Sequence, residues 1–251
     1  MELNLKEKNV LVTGGTRGIG KAIAHAFLQE GASVGITARN QEELTKAQNE
    51  LGVQTYRKDL TIPEQREELM EAFIKNFSSI DVLVNNAGAS YGQDVLQTPI
   101  SSFEQAMETN YISAVHLSQL AGTMMKRQQD GVIINIASIF GKEAGGAPAY
   151  NASKAALISH TKSLSSELIK DHIRVVGIAP GATYHPNQIW QNRLKEDPKY
   201  LKKYAENKIP AGRLGTTDEI ANVAVFLASE KASWIVGTTI TVDGGQSRLN
   251  F

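Results

Sequence analysis

Short β-branched runs alternate with longer amphipathic stretches along almost the whole chain. Apolar runs such as VLVT, VLVN and VIINI occupy 10–13, 82–85 and 132–136, with further short runs at 33–37, 54–56, 174–178 and 239–242. Many are apolar at consecutive positions rather than every second one, the pattern of strands covered on both faces. Between them, apolar residues recur at helical spacing over 18–30, 41–50, 63–76, 101–127, 149–170 and 217–228. Strands and helices in alternation predict an α/β fold, a parallel, doubly wound sheet with helices on both faces.

The rhythm breaks once, at TYHPNQIWQNRLKEDPKYLKKYAENKIP, residues 183–210. Helical pieces are expected there at 188–195 and 199–207. A long segment after a late strand lies near the ligand crevice of an open α/β sheet. It is therefore the candidate substrate-binding lid, and it holds the candidate substrate contacts Tyr184, His185 and Trp190.

Charge and composition narrow the functional classes. The 26 basic and 26 acidic side chains balance, which removes the electrostatic case for nucleic acid or an anionic membrane surface. With no cysteine and no H-x3-H pair, no metal site is expected. The opening MELNLKEKNV carries charge where a signal peptide needs an apolar run. The longest apolar stretch, 132–140, is interrupted by Asn135 and Ser138 and is too short to span a bilayer. A cytoplasmic protein is the expectation.

Three clusters carry chemistry. The first strand runs directly into GGTRGIG and then a helix, so Gly14, Gly18 and Gly20 sit on a strand-to-helix turn. Glycines permit a tight turn and close backbone approach, and a new helix offers free N–H groups to a pyrophosphate. The second strand ends in Ala38 and Arg39, where folds that prefer NAD(H) place an acid. Arg39, with Arg17 in the glycine turn, suits a 2′-phosphate and favours NADP(H). Asp59 and the Asn86–Ala87–Gly88 run follow the third and fourth strands, where Asp59 would accept from an adenine amino group. Finally, Tyr150 and Lys154 are four apart on a predicted helix and therefore neighbours. A cation beside a phenol lowers its pKa and makes it a usable acid or base. Ser138, at the end of the fifth strand, would donate to a substrate oxygen, while Asn110, inside a helical pattern, is suited either to a local kink or to holding a water.

T-G-x3-G-x-G at 13–20, NNAG at 85–88, Asn110, Ser138, Y-x3-K at 150–154 and Pro180–Gly181 together resemble the short-chain dehydrogenase/reductase family, in order and over nearly the whole chain. The resemblance implies a single Rossmann-type domain over 1–251, with a doubly wound sheet of about seven parallel strands and helices on both faces. It also implies a catalytic tetrad on Asn110, Ser138, Tyr150 and Lys154, with Ser138 and Tyr150 on the substrate oxygen, Lys154 tuning Tyr150 and holding the nicotinamide ribose, and Asn110 anchoring a water. It extends the cofactor site from the glycine turn to Thr16 and Ile19, from Asp59 to Leu60, and to Pro180, Gly181 and Thr183. Many relatives place a threonine where this chain has His185, so Thr183 is the substitute candidate for the nicotinamide carboxamide. The tail is similar to the 3-oxoacyl-carrier-protein reductase branch, which is usually homotetrameric.

The expected activity is NADP(H)-dependent reduction of a small-molecule carbonyl, a 3-oxoacyl thioester or related ketone, to a secondary alcohol. An acyl carrier protein is a candidate partner, with Lys126 and Arg127 as the basic residues to meet it. Sugar or polyol dehydrogenation is the alternative within the family. A non-catalytic NADP(H) sensor is the alternative outside catalysis, disfavoured by the intact tetrad.

Overall fold

The computed structural model describes residues 2–184, 194–195 and 197–249. Seven parallel strands form one sheet in the order β3-β2-β1-β4-β5-β6-β7. They are β1 (Asn9–Thr13), β2 (Ser33–Ala38), β3 (Gln54–Arg57), β4 (Val82–Asn85), β5 (Gly131–Ile136), β6 (Ile173–Pro180) and β7 (Thr239–Val242). Among the described residues the α-helices are α1 (Gly18–Gln29), α2 (Gln41–Leu51), α3 (Pro63–Phe77), α4 (Ile100–Met107), α5 (Ser113–Gln128), α6 (Pro148–Leu168), α7 (Tyr200–Lys208) and α8 (Thr217–Ala228).

Consecutive strand residues point to opposite faces, so the central strands supply apolar side chains to both. Val10, Val12, Val84, Ile134 and Val176 pack with Ile23 and Phe27 of α1 and Ile220, Ala224 and Leu227 of α8. Leu11, Leu83, Ile133 and Val175 face the other way, against Leu69 and Phe73 of α3, Leu117 and Met125 of α5 and Leu168 of α6. Two packed faces are the physical reason for the continuous apolar runs.

Helix boundaries follow local chemistry. Asn40 caps α2 by accepting from the N–H groups of Glu42 and Glu43, and Gly52 ends it in the left-handed region. Pro148 opens α6 at a position where its missing N–H costs nothing. Thr216 and Glu219 form a reciprocal capping box at the start of α8. The C-terminus of α8 is closed by a buried cation, since Arg174 of β6 donates to the carbonyls of Leu227, Ala228, Ser229 and Ala232.

One predicted helix is divided. The 101–127 pattern is α4, a π-helical turn over Glu108–Ile112, and α5. Of the lid, the 199–207 piece is α7, whereas most of 188–195 lies outside the described residues, as do His185 and Trp190.

Candidate active site

Sheet order places the site. The chain builds β1 to β3 outward, returns across β1 to lay down β4, and leaves a crevice beyond the carboxyl ends of β1 and β4. The two loops flanking that crevice are joined by Thr13 and Asn86. The Thr13 hydroxyl accepts from the N–H groups of Asn86 and Ala87, each at 2.9 Å. In return, the Asn86 amide donates to the carbonyls of Thr13 (2.8 Å) and Gly14 (3.2 Å).

These contacts leave space only for glycine at position 20. A Cβ on Gly20 would lie 2.3 Å from the Gly14 carbonyl oxygen and 2.4 Å from the Asn86 amide nitrogen. Thr16 to Ile19 lead into α1, whose N-cap, Arg17, makes no side-chain capping bond. The first turn of α1 therefore presents N–H groups to the crevice without a side-chain cap, which fits a pyrophosphate.

At the adenosine side, the two candidate arginines differ. Arg17 is paired with Glu43 at 3.3 Å, and Thr16 donates to the same carboxylate at 2.9 Å. Arg39 is exposed and has no ion pair among the described residues. It lines an open cleft with Arg57, Lys58, Asp59, Ile62, Gln65 and Glu68. Burial works against the charge on Asp59. The N–H and hydroxyl of Thr61, with the nearby Arg39 and Arg66, nevertheless hold its carboxyl below the ordinary value.

The other end of the crevice holds Asn110, Ser138, Tyr150 and Lys154. Asn110 is 1 % exposed and sits in the π turn, an arrangement that re-aims a residue relative to regular helix. Its side-chain oxygen accepts from Ala89 N–H at 2.8 Å, and its amide donates to the Ala89 carbonyl and the Ser153 hydroxyl, each at 2.9 Å. Ser153 in turn donates to the Tyr150 carbonyl at 2.8 Å. Asn110 thus fastens the loop after β4 to the first turns of α6. It supports the kink option left open by the sequence, and Ser153, which the motif pattern does not single out, completes the connection.

Gly88 gives the same region its depth. A Cβ there would sit 2.9 Å from the Asn110 side-chain oxygen and 3.4 Å from Lys154 Nζ. Lys154 is 3 % exposed and donates to the Ile136 carbonyl at 2.7 Å. Its Nζ stands 5.7 Å from the centroid of the Tyr150 ring. Burial pushes the Lys154 pKa down to about 8, so it remains mostly cationic at neutral pH.

At Tyr150, burial raises the pKa above the ordinary phenol value, and the hydrogen bond with Ser138 works to lower it. Lys154 stands over the Tyr150 ring while its ammonium donates to Ile136.

At the far wall, Pro180 ends β6 and Gly181 donates to the Val242 carbonyl. Thr183 is 6 % exposed and donates to the Gly181 carbonyl at 3.1 Å, and Tyr184 is 49 % exposed. Gln246 joins this wall to α7, accepting from Ala182 N–H at 2.7 Å and donating to the Tyr204 hydroxyl at 3.0 Å. No sequence signal distinguishes Gln246, since its role depends on a chain reversal 64 residues away from Ala182. Lys126 does not present a free cation, being paired with Asp171 and Glu167.

Below the site, Asn85 donates to Asn135 (2.9 Å) and Ser118 (3.0 Å), and Asn135 donates to Thr161 (2.9 Å). This buried chain ties β4 and β5 to α5 and α6. No helix among the described residues is long and apolar enough to cross a membrane, and no cluster among them could hold a metal ion.

Comparison with known proteins agrees with this geometry. A family model described as enoyl-(acyl carrier protein) reductase matches residues 14–247. A tropinone reductase homologue of Arabidopsis thaliana is 35% identical, covering 99% of this chain and 93% of its own. A 3-oxoacyl-[acyl-carrier-protein] reductase of Thermotoga maritima is 33% identical, over 97% of this chain and 99% of that protein. The solved structure of L-sorbose reductase from Gluconobacter frateurii, complexed with NADPH and L-sorbose, superposes with a TM-score of 0.93 at 32% identity, covering 99% of this chain and 100% of that one. With the crevice, the stitched glycine turn and the Tyr150–Lys154 helix in place, the chain belongs to the short-chain dehydrogenase/reductase family, oxidoreductases that act on CH–OH groups with a nicotinamide cofactor.

Proposed function

We propose that this protein is an NADP(H)-dependent reductase of a ketone, with a 3-oxoacyl thioester or a related small carbonyl as substrate. The observation that carries the reaction type is the convergence of Ser138, Tyr150, Lys154 and Gly88 at the carboxyl edge of the sheet. The exposed, unpaired Arg39 where an NAD(H) site would carry an acid supports the cofactor preference.

A bound nicotinamide would supply the hydride. Ser138 and Tyr150 hold the carbonyl oxygen, and the Tyr150 hydroxyl proton passes to that oxygen as it gains charge. The phenolate that remains is stabilised by the cationic Lys154 nearby. The Asn110 side chain spends three hydrogen bonds on Ala89 and Ser153. Its part is accordingly to clamp the site, and any water in the relay would rest on main-chain groups of the π turn.

A sugar-ketone substrate is the second reading, favoured by the match to L-sorbose reductase over the whole chain. NADPH consumption with 3-oxoacyl thioesters, diketones, ketoses and steroids separates the two. Activity on ketoses alone would remove the acyl-thioester assignment. Tyr150→Phe is expected to lower kcat by about 10²–10⁴-fold on whichever carbonyl is turned over; unchanged turnover would refute the mechanism.

A further inference from the structure

Arg66 of α3 is among the largest fully buried side chains, at 2 % exposure, yet it touches no proposed reacting group. Its Nε donates to the Leu60 carbonyl at 2.6 Å, in the loop that carries Asp59. Its terminal nitrogen pairs with the carboxylate of Glu108, the first residue of the π turn that displays Asn110. One guanidinium therefore contacts both the adenosine side of the crevice and the turn that clamps the proton-transfer side.

A buried guanidinium is costly unless its donors are satisfied, so its position is defined only while both partners are in place. Whatever holds the Leu60 carbonyl still also holds Arg66, and through it the carboxylate that opens the π turn. Charge adds to the connection, because Arg66 also helps to hold Asp59 ionised.

We propose that Arg66 is a positioning residue, joined to Glu108, that couples occupancy of the adenosine side of the cofactor site to the order of the 108–112 turn and hence of Asn110. The proposal rests on the cofactor assignment above. A second route exists, since Asn110 also binds Ala89, next to the Asn86–Gly88 run along the crevice. Substitution at Arg66 tells the two routes apart.

The experiment is hydrogen–deuterium exchange of peptides covering 107–113, in the full chain, with 5′-ADP and 2′,5′-ADP as probes. Either nucleotide occupies the adenosine side without a nicotinamide. In the native protein, a saturating probe is expected to slow exchange across 107–113 by about 3- to 30-fold. Arg66→Met should abolish this transmitted protection. Glu108→Gln is the second variant, because it keeps the buried guanidinium and its bond to Leu60 and serves if Arg66→Met does not fold. It should lose the protection while the probe still binds, with kcat about tenfold lower.

Binding without slowed exchange in the native protein, or protection that persists in the variants, overturns the coupling alone. Failure of both probes to bind overturns the cofactor assignment and the coupling with it.

Discussion

At Lys154, function and stability pull in opposite directions. The folded protein lowers its pKa from 10.5 to about 8 by burial, so the unfolded chain binds more protons between those values. Stability therefore climbs as pH rises from about 8 toward 10.5, and below about 8 the full burial cost is present. Lys154→Met is expected to be more stable than the native protein at pH 7 by about 1–3 kcal/mol, with the lost Ile136 bond counted against it. The advantage should shrink across pH 8–10, before Tyr150 begins to titrate. Chemical denaturation at several pH values checks this, and a variant less stable at pH 7 would contradict it. Turnover should fall in the same variant, since no cation remains beside the phenolate.

Among the elements, the π turn and α8 show how a local irregularity is held in place. Regular helix through 108–112 would move Asn110 off Ala89 and Ser153; those three hydrogen bonds, with the Arg66–Glu108 pair, offset the turn's poorer geometry. The α8 terminus depends on Arg174, which donates to four carbonyls; those of Ser229 and Ala232 also accept from the N–H groups of Ala232 and Ile235, so the carbonyls of Leu227 and Ala228 depend on it most. Arg174→Leu is expected to cost about 2–4 kcal/mol of stability. Because α8 packs on α1 through the shared core, a lowered unfolding midpoint should be accompanied by weaker cofactor binding. A midpoint within a degree of the native value would show that the cap is not needed.

Across the whole molecule, the sheet order turns residues from distant stretches into one crevice, and cofactor choice is set there. Arg39 makes no ion pair among the described residues, with Asp59 the carboxylate near it, whereas Arg17 is already engaged by Glu43. Arg39→Ala should therefore weaken NADPH binding by about tenfold and leave NADH binding almost unchanged, narrowing the ratio between them. Fluorescence titration of both cofactors measures this directly. Tighter NADH than NADPH binding by the native protein would reverse the assignment.

Much of this was legible without coordinates. The double-sided apolar runs of β1, β4 and β5 require a buried parallel sheet, and glycines on the first turn require a close backbone approach. Tyr150 and Lys154 share a helix face by spacing alone. These are local properties, set by chain period and steric size. What depended on distant partners was not legible: Asn110 reads as a residue inside one long helix until Ala89 and Ser153 are brought to it. Arg66 carries no signal in the sequence; only the fold closes Leu60 and Glu108 over it, and only the fold brings the Ile136 carbonyl to the Lys154 ammonium. Sequence by itself determined the fold class, the tight glycine turn after the first strand and the helix face that Tyr150 and Lys154 share. Only tertiary structure decided which charges are paired, how far burial moves their pKa values and which loops move together, because each of those depends on distances between residues the chain order does not relate.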